Sequence, residues 1–257
     1  MKTFRFIGMA LFAVLLCVNL TSCSGGDDDP TEETEEGGVV INEKKITKIV
    51  GKEESEKEFL NCTFSYDNKG RLVDSMEDWV RDKLKYTYQF SWGDNDINVL
   101  ERIDNYWSGE TLRTFILTLK NGLVQSNNDE TYSYNSLNRF IKDSDKTIFW
   151  DSDKLIFRDW EKNDEPDYTL TYGQQSCKGY FPFVSFIILP KCSILYMAHP
   201  EIAGMRTTQL PTGLTETFYS KTTTATFTYE FDKDGYVIKM IAKATDGLTK
   251  TYTITWQ

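Results

Sequence analysis

The chain has 257 residues, with 39 acidic side chains against 29 basic ones and a single histidine. A hydrophobic fraction of 40%, with 14% aromatics, can build a sizeable core and excludes wholesale disorder. The net charge of −10 argues against a nucleic-acid binder, which needs a concentrated basic face, and one histidine leaves little for multi-histidine metal chemistry.

The first elements are processing signals. Lys2 and Arg5 form a positive head, and residues 6–20 form an apolar run too short, and too closely followed by polar chain, to remain as a spanning anchor. The run closes on Leu20-Thr21-Ser22-Cys23, which resembles the bacterial lipobox. That resemblance implies removal of residues 1–22 and lipidation of the Cys23 thiol, so that the protein meets its membrane through this cysteine. At about 0.8 kcal/mol per buried methylene, two or three acyl chains make a stable anchor.

Residues 23–43 follow as an acidic tether, with eight acids, no bases and no apolar side chain before Val39. Such a stretch cannot bury itself and is expected to be a disordered spacer of about 25 Å root-mean-square span. Ser24 beside Cys23, and the acidic cluster at 27–29, are similar to the outer-membrane and surface-export signals of Bacteroidetes lipoproteins. The alternative is a spacer facing the periplasm. Residues 44–257 hold 27 basic and 31 acidic side chains, so most of the net charge belongs to the tether.

From Lys44 onward the pattern has period two. Leu60, Cys62, Phe64 and Tyr66 alternate with polar residues, as do Leu84, Tyr86, Tyr88, Phe90 and Trp92. Ala225, Phe227, Tyr229 and Phe231, then Tyr252, Ile254 and Trp256, repeat the pattern near the end. One apolar and one polar face per strand predicts an all-β domain over 44–257. The architecture expected is an antiparallel hairpin meander curved into a sheet or open half-barrel.

The turns carry a repeat. Tyr66-Asp67-Asn68-Lys69-Gly70-Arg71-Leu72 and Phe231-Asp232-Lys233-Asp234-Gly235-Tyr236-Val237 share one frame, and Tyr134-Asn135-Ser136-Leu137-Asn138-Arg139-Phe140 repeats it with Asn for both Asp and Gly. Asp or Asn opens such a turn by accepting backbone N–H groups, and Gly or Asn takes the left-handed position. Asn121-Gly122 predicts a tight hairpin. These frames resemble the tyrosine–aspartate repeats of Rhs-type surface proteins. The sequences at 226–236 and 251–256, on a lipoprotein with hairpins throughout, are similar to a family of Bacteroidetes lipoproteins of unknown function. The resemblance implies fold and location and brings no catalytic residues.

Residues 179–205 break the alternation, being apolar almost throughout. They read as a short helical or irregular plug over the concave face, or as a lid over an apolar ligand. Asp94 with Asp96, Asp143 with Asp145 and Asp151 with Asp153 fall at expected turns, and His199 reads as a packed histidine. No cofactor, metal or nucleophile motif occurs, so an enzyme is not expected. Of the candidate binding residues, Trp79, Trp92, Trp107, Trp150 and Trp160 could stack on sugar rings, with packing as the rival role. Asp74-Ser75-Met76 fits a short O-glycosylation pattern of Bacteroidetes exported proteins at Ser75. Cys62, Cys177 and Cys192 are odd in number and read as buried thiols, with a Cys177–Cys192 bridge as the alternative. The expected role is non-enzymatic binding of a glycan or an envelope protein by a monomer; the alternative is a periplasmic carrier of an apolar ligand.

Overall fold

The structure, a computed structural model, describes residues 43–55, 57–128, 130–160, 166–188, 193–219 and 221–257. Cys23, the signal, the tether up to residue 42 and Cys192 lie outside them.

The first half of the chain forms β1 (Ile46–Glu53), β2 (Glu58–Tyr66), β3 (Leu72–Trp79), β4 (Leu84–Trp92), β5 (Asp96–Asn105), β6 (Gly109–Lys120), β7 (Leu123–Ser126) and β8 (Ser133–Tyr134). The second forms β9 (Phe140–Lys142), β10 (Lys146–Asp151), β11 (Lys154–Trp160), β12 (Asp167–Ser176), β13 (Gln209–Phe218), β14 (Lys221–Phe231), β15 (Val237–Ala244) and β16 (Thr249–Trp256). Apart from β7 and β8, which end the strand order, each strand pairs antiparallel with its neighbours in sequence, and β1 pairs with β16, so the described chain ends meet inside one 16-stranded sheet. A bridge between Ser126 and Thr131, with Tyr132 N–H donating to Gln125 O, joins the two ends of the strand order. The expected half-barrel is therefore a nearly closed barrel.

Its polarity follows the alternation in the sequence. Ala225, Phe227, Tyr252, Ile254, Met240 and Ala242 face inward and are buried. Between them Thr226, Thr228, Glu230, Lys239, Lys243, Thr251, Thr253 and Thr255 face outward. A barrel that crosses a bilayer carries the opposite pattern, an apolar outer band with a polar lumen.

The chain leaves β12, fills the interior and returns to β13. Helices α1 (Val184–Ile188) and α2 (Ser193–Ala198) and a 3₁₀ turn at Pro200–Ala203 occupy this crossing. Phe181, Phe183, Val184, Ile194, Leu195, Tyr196, Met197 and Met205 share one continuous core with the inward strand residues. The described residues of 179–205 thus form a plug, as one of the two readings of the sequence had it. Because the barrel has an even number of strands, both described ends, Glu43 and Gln257, emerge at the same rim as the plug. The turns 80–83 and 106–108, and Tyr219, lie at the far end.

Candidate functional site

The three repeated turns have the same internal structure. The Oδ1 atoms of Asp67, Asn135 and Asp232 each accept backbone N–H groups two and four residues on, at 2.8–3.0 Å. Gly70, Asn138 and Gly235 take positive φ in the middle of each turn. A tryptophan at the end of the hairpin-partner strand closes each unit: Trp92, Trp150 and Trp256 donate Nε1–H at 2.7 Å to the carbonyls of Leu72, Phe140 and Val237.

All three turns grip the plug. Leu72 N–H donates to His199 Nε2 at 3.1 Å, and the other ring nitrogen lies 2.9 Å from the Glu201 carboxylate. Phe140 N–H donates to Gly204 O, Arg139 donates to Arg206 O, and Lys178 N–H donates to Gly235 O. Lys44 bridges Asp232 and Asp234 at 2.6 Å each, which holds both carboxyls below their ordinary values. His199 is a packed residue, edge-on to Trp92 and Tyr66.

The inner wall also holds charge. Glu77 on β3 is 6% exposed and accepts Trp79 Nε1–H at 2.7 Å. Burial, with the nearby Glu101 charge adding to it, pushes its carboxyl to about 7 despite the Trp79 bond. Asp143 and Lys146 form a buried ion pair, and Arg158 donates to the carbonyls of Ile187 and Pro166 while lying 4.2 Å from the Tyr168 ring. Burial raises the Cys62 thiol well above its ordinary value and the Cys177 thiol to about 12; both are free. Among the described residues no three His, Cys, Asp or Glu side chains are grouped to hold a metal ion.

The surface feature that stands out is the β5–β6 hairpin. Five of the nine exposed large apolar side chains among the described residues belong to it: Leu100, Tyr106, Trp107, Leu112 and Ile116. Tyr106 and Trp107 pack edge to face at its tip, 4.9 Å apart, with Lys83 Nζ 4.2 Å from the Tyr106 ring. A surface pocket of about 370 Å³ lies beside it, lined by Gln89, Asn98, Leu100, Thr114, Ile116 and Asn128 among others.

The structure does not gather the five predicted tryptophans into one platform. Trp92 and Trp150 are half-buried at the plug rim, and Trp79 is committed to Glu77. Trp107 alone stands in solvent, 77% exposed, and the side chain of Trp160 lies outside the described part. Ser75 faces the barrel interior and is 4% exposed, so a glycosyl group fits there only on a chain that has not closed its barrel. The hairpin's edge and apolar row were missed by sequence reasoning; the interrupted alternation of Leu112, Phe115, Ile116 and Leu119 was the signal available.

These features define a plugged β-barrel, with polar walls, an apolar filling and one apolar hairpin on its surface. Among solved structures the chain resembles a porin-like protein from Bacteroides uniformis, with 18% identity and a TM-score of 0.54 over 82% of this chain and 96% of that one. A porin-like protein from Bacteroides vulgatus matches at 10% identity and a TM-score of 0.34, over 84% of this chain and 99% of that one. At these identities the first likeness bears on the fold. No family model matches the sequence, and no curated protein does.

Proposed function

We propose that this is a lipid-anchored cell-envelope protein of the outer membrane, facing the cell surface, whose barrel is a rigid non-enzymatic support for a binding hairpin. The concentration of exposed apolar side chains on β5 and β6 carries this reading, since monomeric surfaces seldom gather such residues unless they bind. The lipobox at Cys23 and the acidic tether support the anchoring. With the described chain ending at the plug rim, an anchored barrel would hold the Tyr106–Trp107 tip away from the membrane. Another envelope protein is the partner that best fits an apolar sheet surface. A glycan is the second reading, favoured by the preorganised pair of exposed rings. The interior is packed by the plug, so no observation favours the carrier reading.

Amine cross-linking of intact envelopes tests the surface. Lys83, Lys85 and Lys120 border the hairpin, whereas Lys239 and Lys243 face outward on the wall around β15. Cross-links to a second polypeptide are expected at the first three. Combined Trp107→Ala and Leu112→Ser should abolish them and move the melting temperature little, because both side chains are exposed. Cross-links spread evenly over all five lysines, or unchanged in the double variant, would contradict the reading. On a glycan array, loss of binding with Trp107→Ala would select the second reading, and absence of any hit would remove it.

A further inference from the structure

Among the described residues, the lower part of β6 is paired on one side only and leaves an open sheet edge. β6 pairs with β5 from Gly109 to Thr118, but the short β7 reaches only Thr118, Leu119 and Lys120. The residues from Gly109 to Thr114 are exposed on both faces of the strand. Backbone direction is fixed by two hydrogen bonds: Leu119 N–H points toward β5, to Asn95 O, and Ile116 N–H points the other way, to Asn128 Oδ1. By strand alternation Glu110, Leu112 and Thr114 direct their N–H and C=O groups outward with Ile116. Asn128 ends this row by supplying an amide oxygen where a neighbouring strand's carbonyl would sit.

We propose that the occupant of this edge is a second copy of the same chain, paired β6 to β6 antiparallel about Leu112. This rests on the hairpin being the binding surface and names its partner. A row of alternating backbone donors and acceptors is matched by another extended polypeptide, which neither a sugar nor a lipid supplies. The row is self-complementary, as a two-fold contact requires. With Leu112 opposite its own copy, Glu110 lies opposite Thr114 and Ser108 opposite Ile116. The two Leu112 side chains then meet on the outer face.

The same register places the other exposed groups. Trp107 of one copy falls level with Leu117 of the other, beside the pocket lined by Leu100 and Ile116. One pairing therefore covers Leu112, Ile116, Leu100 and Trp107 together. A seven-residue strand contact is small against the roughly 1,000 Å² that a stable interface buries, so the aromatic tip in the pocket supplies area that the strand lacks. Attachment to one membrane raises the effective concentration of such a pair further.

The test is disulfide capture in the cells that make the protein, using the full chain. Directly opposed cross-strand residues lie about 5.5 Å apart at Cα, within disulfide reach. Leu112→Cys should give severalfold more disulfide-linked pair, near twice the monomer mass, than Thr253→Cys, which faces outward on β16. Adding Thr114→Pro to Leu112→Cys should abolish the pair, because proline removes an edge N–H without touching the β5 pairing. Normal levels of that variant show that it still folds. Equal capture at positions 112 and 253 would overturn the proposal. Capture of a band of another mass at 112 would also overturn it, while leaving the hairpin as the binding surface.

Discussion

Gly204→Ala is expected to lower stability by about 3–4 kcal/mol, the sum of left-handed strain and forced overpacking. Gly204 sits at φ +63° where the 3₁₀ turn leaves the plug. A Cβ there would lie 2.2 Å from Asn138 O and 2.9 Å from Phe140 N, both backbone atoms of the second repeated turn. Neither can rotate away, so the plug has to lift from the rim. Gly122 provides the control, since it has φ +76° and nothing within 4 Å of the same ideal Cβ. Gly122→Ala should therefore cost only the backbone term, about 1 kcal/mol. Thermal unfolding of the two variants measures the difference, about 2–4 °C per kcal/mol for a domain of this size. Equal shifts would mean that the plug is not clamped as described.

Glu77→Gln is expected to stabilise the protein above neutral pH by about 3 kcal/mol. The folded carboxyl titrates near 7 against an ordinary 4.5. Between those values the unfolded chain has already released this proton while the folded chain keeps it, so rising pH favours unfolding. The loss is complete above about pH 7, and at 1.36 kcal/mol per unit it amounts to about 3 kcal/mol. Glutamine keeps an oxygen to accept the Trp79 Nε1–H and carries no charge. Urea unfolding at pH 5 and pH 8 should show the parent losing stability and the variant losing about 2.5 kcal/mol less, since the unfolded carboxyl has begun to release its proton by pH 5. The same pH slope in both would remove Glu77 as a buried acid.

Much of the barrel is legible in the sequence. Phe227 and Tyr252 point inward because aromatic and threonine residues alternate, and the wet face is readable from the threonines. The turn frames were readable as hydrogen-bonding units, because Asp and Asn have the side-chain geometry to accept from backbone two and four residues on. Closure was not legible. It depends on β1 meeting β16 and on a bridge at Ser126–Thr131, pairings between strands that carry no mutual sequence signal.

Two residues show where alternation fails as a guide. Along β3, Ser75, Glu77 and Trp79 share one face and Asp74, Met76 and Asp78 the other. Neither face is apolar, so nothing in the pattern says which is inside, and both Ser75 and Glu77 turn out buried. The tryptophans fail for a different reason. Trp92, Trp150 and Trp256 do one job, but they follow their carbonyl partners by 20, 10 and 19 residues because the hairpins between differ in length. A repeat with variable spacing hides from a fixed frame. Trp107 lacks any such partner in the turn frames and stays in solvent.

In the proposed function, a plugged barrel with a polar outer face meets the membrane only through its N-terminal tether. Cleavage at a protease site inserted between residues 31 and 36, carried out without detergent on envelopes holding the Trp107→Ala/Leu112→Ser variant, whose hairpin contact is removed, tests it most directly. The account predicts that residues 44–257 appear in the soluble fraction, folded and with the thermal transition of the intact protein. A domain that stays with the membrane after complete cleavage would contradict it.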